Sequence, residues 1–321
     1  MAARGGLDLG GTKIQAIVLD DTNTVIGQAR TPTPRTGGPP AIIAELAAVL
    51  RTACEDAEVD VADLDGVGIG APGAVDAAAG TLSRSGNLDG WRDATVAVCD
   101  LLAAELGGSV DVFLGNDVSV AVQAEVALGA ARDVPSALGV FWGTGVGGAV
   151  IFDGEEWAGR GAAGEIGHMV VKTGGRQCPC GRRGCMEAYA GRGAMQKRAH
   201  HLHHDRHRKT MLFHLMHEKG KPVLTSSVWA KALEKSDGLA HELIDEAVEA
   251  IATATASAVN LLDLERVVLG GGLGLRLGEE YRQRIADAML PHLFKAADPP
   301  PLVLAELGDL GGAIGAARLG L

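Results

Sequence analysis

At 321 residues the chain has room for about two domains of the usual ~100–200 residues, and 47% hydrophobic residues with 21% charged residues of both signs exclude a disordered chain. A formal net charge of −11 argues against nucleic acid or an anionic membrane as a broad partner, though not against ATP, whose phosphates local backbone N–H groups and metal ions can hold. The N-terminus MAARGGLDLGG lacks an apolar signal core, no run approaches the ~18 apolar residues of a spanning helix, and the five cysteines are not spread like a secreted disulfide framework, so a cytoplasmic protein is expected.

In chain order, the first 30 residues read as three short strands, GGLDLG, KIQAIVLD and VIGQAR, with turns at 10–12 and 20–23. A Pro/Gly-rich loop (31–40) precedes a helix over 41–57, whose apolar residues recur at helical spacing. DGVGIGAPG (65–73) reads as a buried strand ending in a loop, and 93–107 as a helix capped by Asp93. A strand at 110–115 then meets a helix over 116–128 that opens on Asn116 and Asp117. The pattern restarts with ALGVFWG (137–143), the turn GTGVGG and the return strand AVIFDG (149–154). Helix 241–262, strand and glycine turn 265–274, helix 277–290, strand 301–307 and a closing helix over 311–320 complete the chain. Two halves that each open with strand, glycine turn and strand imply a duplicated α/β fold of two lobes with a central cleft, divided as 1–116 plus 304–321 and 117–303.

Residues 196–222 differ, holding seven of the ten histidines in and after HHLHHDRHRK. His200, His204 and His207 fit one helix face, which leaves a metal site open, but a solvated basic helix or loop is the simpler reading.

Three glycine motifs bear on phosphate. In DLGGTK (8–13), Asp8 closes a strand, Gly10 and Gly11 turn, and Thr12 and Lys13 begin the next strand; such a turn is either a plain hairpin or a backbone nest for phosphate. It is not a P-loop, because the spacing is wrong and a strand follows. GTGVGGA (143–149) matches G-x-G-x-x-G through Gly143, Gly145 and Gly148, with Thr144 and Gly147 in the same run, yet a strand follows where a dinucleotide fold needs a helix. The run Gly68, Gly70, Gly73 fails in the same way. The third motif, Gly270, Gly271 and Gly272, is either a strand-to-helix turn or a place for a flat base to approach backbone.

The most specific local signal is metal-like. CPCGRRGC brings Cys178, Cys180 and Cys185 together, and His168 stands ten positions before Cys178; one imidazole and three thiolates make a closed structural zinc set, with His168 the member that spacing supports least. Glu165 and Glu187 flank this cluster and read as surface charges or as readers of sugar hydroxyls. The second nitrogen of a ligating histidine needs a partner as well, and a sugar hydroxyl would serve. Asp117 reads either as a helix cap or as a base that accepts the proton of an attacking hydroxyl.

The order of the three glycine elements is similar to the actin-like (ribonuclease H-like) ATPase pattern, and the whole chain resembles the ROK family of repressors and sugar kinases, most closely its glucokinases. GEIGH with CPCGRRGCMEAY (164–189) carries the resemblance most strongly. The resemblance implies an ATP-dependent hexose kinase, with glucose first and other hexoses, N-acetylhexosamines or a polyphosphate donor as rivals. It places Asp8 near Mg2+; Gly10, Gly11, Thr12 and Lys13 and then Gly143, Thr144, Gly145 and Gly147 at the phosphates; and Gly270, Gly271 and Gly272 at adenosine. Gly73, Asn87, Asn116, Asp117, Glu165, His168 and Glu187 fall at the sugar, Asp117 as base, while His168, Cys178, Cys180 and Cys185 fall at a structural Zn2+. Gly191, in EAYAGRG, departs from the family, where a serine is frequent. Only seven residues precede Asp8, too few for the DNA-binding domain of the family's repressors, so an enzyme is expected; a homo-oligomer, dimer or tetramer, is implied by the resemblance alone. A non-catalytic sugar sensor and an actin-like ATPase with a polypeptide partner are the readings from other classes.

Overall fold

The computed structural model describes residues 2–320. The chain forms two compact units, Met1–Leu128 with Asp309–Leu321, and Gly129–Gly308.

The first unit opens with β1 (Ala3–Leu9), β2 (Lys13–Leu19) and β3 (Val25–Pro32). Then come α1 (Gly38–Asp56), β4 (Leu64–Ala71), a small antiparallel sheet of β5 (Ala74–Asp76), β6 (Thr81–Ser83) and β7 (Thr95–Ala97), α2 (Val98–Glu105), β8 (Val112–Asn116) and α3 (Asp117–Leu128). Its main sheet runs β3-β2-β1-β4-β8, antiparallel through β1, β2 and β3 and parallel across β1, β4 and β8. The apolar run of β2 is buried on both faces, as a strand covered by helices must be. Ile42, Leu46, Leu50 and Ala53 of α1 share a core with Leu7, Ile14 and Ile69.

The second unit repeats this plan. β9 (Ser136–Trp142), β10 (Val146–Phe152) and β11 (Glu155–Glu156) form an antiparallel meander. The helices α4 (Glu187–Ala190), α5 (Arg192–His200), α6 (Leu212–Glu218), α7 (Ser226–Glu234) and α8 (Gly238–Leu262) follow. β12 (Arg266–Gly270), α9 (Gly271–Met289) and β13 (Leu302–Leu304) close the unit. The sheet order β11-β10-β9-β12-β13 is that of the first sheet, third-second-first-fourth-fifth, with the same parallel and antiparallel pairs. The duplication expected from the sequence is therefore a duplication of topology.

α10 (Gly311–Ala316) belongs to the first unit. It lies flat against β1 and β4 because Gly6 and Gly68 have no side chain to hold it off: a Cβ at either would run into the Ala313 or Ala316 carbonyl. The helix α3 also belongs there, since Gly315 of α10 packs against the Val120 carbonyl. The sequence-based division had put residues 117–128 in the other lobe and 304–308 in this one.

Other expectations are corrected by pairing. Residues 95–97 pair with β6 instead of starting a helix, and Val96 buries its side chain there, so α2 begins only at Val98 and Asp93 caps nothing. The turn of the second hairpin is confined to 143–145, because Gly147 and Gly148 pair with Phe141 and Val140 inside the ladder. α9 starts at Gly271 and bends at Gly278, whose φ is 69°. His207 has φ 54° and lies beyond the helical turns, so it does not share a helix face with His200 and His204, which meet Phe213 edge-on and tilted. Among the described residues, no helix is long and apolar enough to cross a membrane.

Candidate functional site

In the first unit, the β1–β2 turn is closed by the Gly10 N–H donating to the Lys13 carbonyl at 2.9 Å. Thr33 braces it, its hydroxyl donating to the Gly10 carbonyl at 2.6 Å. The tip touches the loop that carries Asn87, where a Cβ at Gly11 would sit 2.9 Å from the Asn87 Cβ. Asp8 lies on β1 beside the start of α10, since a Cβ at Gly312 would sit 3.0 Å from its carboxyl carbon. Burial pushes the Asp8 pKa up, Asp117 and Asp309 add to this, Lys13 opposes it, and the result is about 6. Lys13 itself pairs with Asp309 at 3.7 Å.

β8 ends and α3 begins at Asn116 and Asp117. The Asn116 side chain caps the helix, Oδ1 accepting from the N–H groups of Val118 at 3.0 Å and Ser119 at 3.2 Å. Asp117 is thereby released from sole duty as the cap, although its Oδ1 also accepts from Val118 at 3.0 Å. Burial pushes the Asp117 carboxyl up, against the pull of backbone hydrogen bonds from Val118 and from its own residue. Gly73, at φ 128°, turns the chain after β4 where a side chain would meet the Ser83 carbonyl at 2.7 Å. Beside it Ser85 is buried with its hydroxyl unpartnered.

In the second unit, the β9–β10 turn is closed by the Gly143 N–H donating to the Gly145 carbonyl at 2.9 Å. The segment 187–193 clasps this turn. The Trp142 indole N–H donates to the Ala190 carbonyl at 2.6 Å, Gly193 N–H to the Thr144 carbonyl at 2.9 Å, and Val146 N–H to Glu187 Oε2 at 3.0 Å. A Cβ at Gly145 would strike the Glu187 carboxylate. At Gly191, the point of departure from the family, a Cβ would sit 2.9 Å from both Glu187 Cγ and the Glu187 carbonyl. At the start of α9, Gly271 has φ 81° and presses on the backbone of Trp142, so the third glycine motif abuts the end of β9.

His168, Cys178, Cys180 and Cys185 converge, with one ligand atom from each within 4.8 Å of the others. Cys180 and Cys185 sulfurs are 3.7 Å apart, and Cys178 Sγ is 3.7 Å from His168 Nδ1. Two thiolates held ~2.3 Å from a tetrahedral zinc lie about 3.8 Å apart, so this donor set fits zinc in chemistry and in size. Burial pushes the Cys178 thiol up to about 12, a cost that a cation would relieve. Nδ1 faces the thiols, while Nε2 faces Glu165 with its Oε2 at 4.0 Å. Cross-bridges pin the loop, Val170 pairing with Cys185 and Gln177 with Arg183, and Arg176 ties it to Glu246 of α8 at 2.7 Å.

Two residues of this region escaped sequence reasoning. The Arg192 guanidinium reaches Thr144 Oγ1 and Ser226 Oγ, each at 2.8 Å. The only sequence signal was the departure in EAYAGRG.

The family model described as the ROK family matches residues 4–321. A glucokinase of Halalkalibacterium halodurans is 31% identical over 315 residues, covering 97% of this chain and 92% of that protein. An N-acetyl-D-glucosamine kinase of Yersinia pseudotuberculosis is 30% identical over 330 residues, covering 98% of both. Among solved structures, a ROK family glucokinase from Streptomyces griseus in complex with glucose and AMPPNP has TM-score 0.81 and 28% identity, covering 99% of both chains.

Proposed function

The chain belongs to the ROK family and is a sugar kinase, and we propose that it transfers the γ-phosphate of ATP to the 6-hydroxyl of a hexose, with glucose as the preferred acceptor. The observation that carries the chemistry is Asp117, a buried carboxylate at the mouth of a helix that Asn116 already caps. Burial raises its pKa, which makes the ionised group a better proton acceptor.

In this reading Gly73, Asn87, Asn116, Glu165, His168 and Glu187 hold the sugar hydroxyls. Asp117 orients the 6-hydroxyl and accepts its proton as the new O–P bond forms and the bond from Pγ to the β-phosphate bridging oxygen breaks, releasing ADP. The turn with Gly10, Gly11, Thr12 and Lys13 and the turn with Gly143, Thr144 and Gly145, which Gly147 follows in β10, hold the phosphates through backbone N–H groups that the turns do not use to close themselves, and Gly270, Gly271 and Gly272 leave room for the adenosine. Asp8 would hold Mg2+, which when bound offsets charge on the phosphates; a buried carboxyl pushed up to about 6 fits a cation partner. His168, Cys178, Cys180 and Cys185 would hold a structural Zn2+, which fixes His168 and its neighbours.

Support for glucose comes from the glucose complex and the glucokinase relative, while the N-acetyl-D-glucosamine kinase relative names the chief competitor. A coupled ADP-release assay with ATP–Mg2+ decides, run with glucose, mannose, fructose, N-acetylglucosamine and N-acetylmannosamine, and repeated with polyphosphate as donor. The highest kcat/KM is expected for glucose with ATP. A higher value for another sugar or donor replaces that part of the assignment. No turnover with any pair would put a non-catalytic sugar sensor in its place.

A further inference from the structure

Arg192 is a half-buried cation with no anionic partner among the described residues. Its guanidinium donates to two neutral hydroxyls, Thr144 Oγ1 and Ser226 Oγ, each at 2.8 Å. Among the described residues no carboxylate pairs with it, whereas Arg176, Arg208, Arg282 and Arg284 each have one. Burial alone accounts for the downward push on its pKa. A guanidinium taken partly out of water without a counter-charge is costly, and the cost is relieved when an anion arrives.

The surroundings say which anion. The Arg192 backbone N–H donates to the Gly143 carbonyl at 3.2 Å and that of Gly193 to the Thr144 carbonyl at 2.9 Å, so Arg192 is fastened to the glycine turn by main chain as well as side chain. On its other side Ser226 Oγ lies 4.0 Å from where a Cβ on Gly272 would be, at the opening of α9. The fork is thus held on the 143–145 turn, with Ser226 standing between it and the opening of α9, and it keeps N–H groups beyond the two already in use. A planar fork of donors suits phosphate oxygens, and a lysine would supply only a point charge.

We infer that Arg192 is a ligand of the donor's phosphate chain, seated on the 143–145 turn, where it supplies the positive charge that the glycine backbone lacks. This rests on the reading of that turn as a phosphate loop.

The test is calorimetric titration of the full-length protein with AMPPNP–Mg2+ and with adenosine, for wild type, Arg192→Gln and Arg192→Lys, with melting temperatures alongside. Arg192→Gln is expected to weaken AMPPNP at least tenfold, to change adenosine less than twofold and not to lower the melting temperature. Arg192→Lys should fall between the two. Unchanged AMPPNP affinity in Arg192→Gln overturns the inference and leaves the phosphate loop standing. Parallel losses for AMPPNP and adenosine with a lower melting temperature also overturn it, in favour of a purely structural clamp. If Arg192→Gln does not fold, the ratio of the two affinities in Arg192→Lys decides: a selective loss on AMPPNP supports the inference and an unchanged ratio overturns it. Wild type that binds no AMPPNP overturns the donor reading itself, and this inference with it.

Discussion

The Glu187 carboxylate accepts a hydrogen bond from the Val146 backbone N–H at 3.0 Å, and so ties the residue just after the cysteine cluster to the glycine turn that bears Thr144. Glu187 Oε1 is also 3.9 Å from the Cys178 sulfur. One side chain therefore couples the cysteine loop to the 143–145 glycine turn.

Two substitutions separate its structural role from the proposed role at the sugar. Glu187→Ala leaves the Val146 N–H without its acceptor and should lower stability by about 1–3 kcal/mol. Glu187→Gln keeps an oxygen for Val146, so its melting temperature should stay near wild type while the sugar KM rises. Equal sugar KM values in wild type and Glu187→Gln would remove Glu187 from the sugar site.

Asp117→Asn should lower kcat by about 10²–10⁴-fold with little change in sugar KM. Because Asn116 carries the cap, the variant should melt no lower than wild type, whereas Asn116→Ala should lose about 1 kcal/mol. Near-normal turnover in Asp117→Asn would reduce Asp117 to a helix-terminal residue.

Asp8 should make the ligand-free protein less stable as pH rises. Its folded-state pKa of about 6 lies above the 3.8 of an unfolded carboxyl. Between those values the folded state holds a proton that the unfolded state has released, so stability falls as pH rises through that window. The full cost, roughly 3 kcal/mol, is in place above the folded pKa. Denaturant melts of wild type and Asp8→Asn at a series of pH values should show the steeper decline in wild type, since the raised Asp117 remains in both. Identical slopes for the two proteins would sink the idea.

Metal analysis of protein purified without chelator should find about one zinc per chain. Cys180→Ser should reduce that content, lower the melting temperature by several degrees and raise the sugar KM, because His168 shares the cluster and Glu187 follows Cys185 closely. Full activity and an unchanged melting temperature after exhaustive chelation would argue against a structural metal.

Local chemistry was legible in the sequence wherever it depended on neighbours along the chain. The glycine hairpins, the apolar strands flanking them and the long helix ending at Leu262 follow from periodicity and turn chemistry. Three cysteines within eight positions could hardly avoid meeting, and only their meeting with His168 needed the fold. Tertiary structure decided what depends on partners distant in sequence. Thr95–Ala97 became a strand because β6 offered it a ladder, against the helical pattern of 93–107. Residues 117–128 joined the first unit because glycine at 315 lets α10 lie against Val120, almost two hundred positions away. The cap is shared, Asn116 accepting from Val118 and Ser119 and Asp117 from Val118 alone, because side-chain rotamers at a helix mouth are chosen by the packing around them. Arg192 shows the same limit most plainly: an arginine in a glycine-rich run looks like surface charge until folding sets Thr144 and Ser226 around its guanidinium.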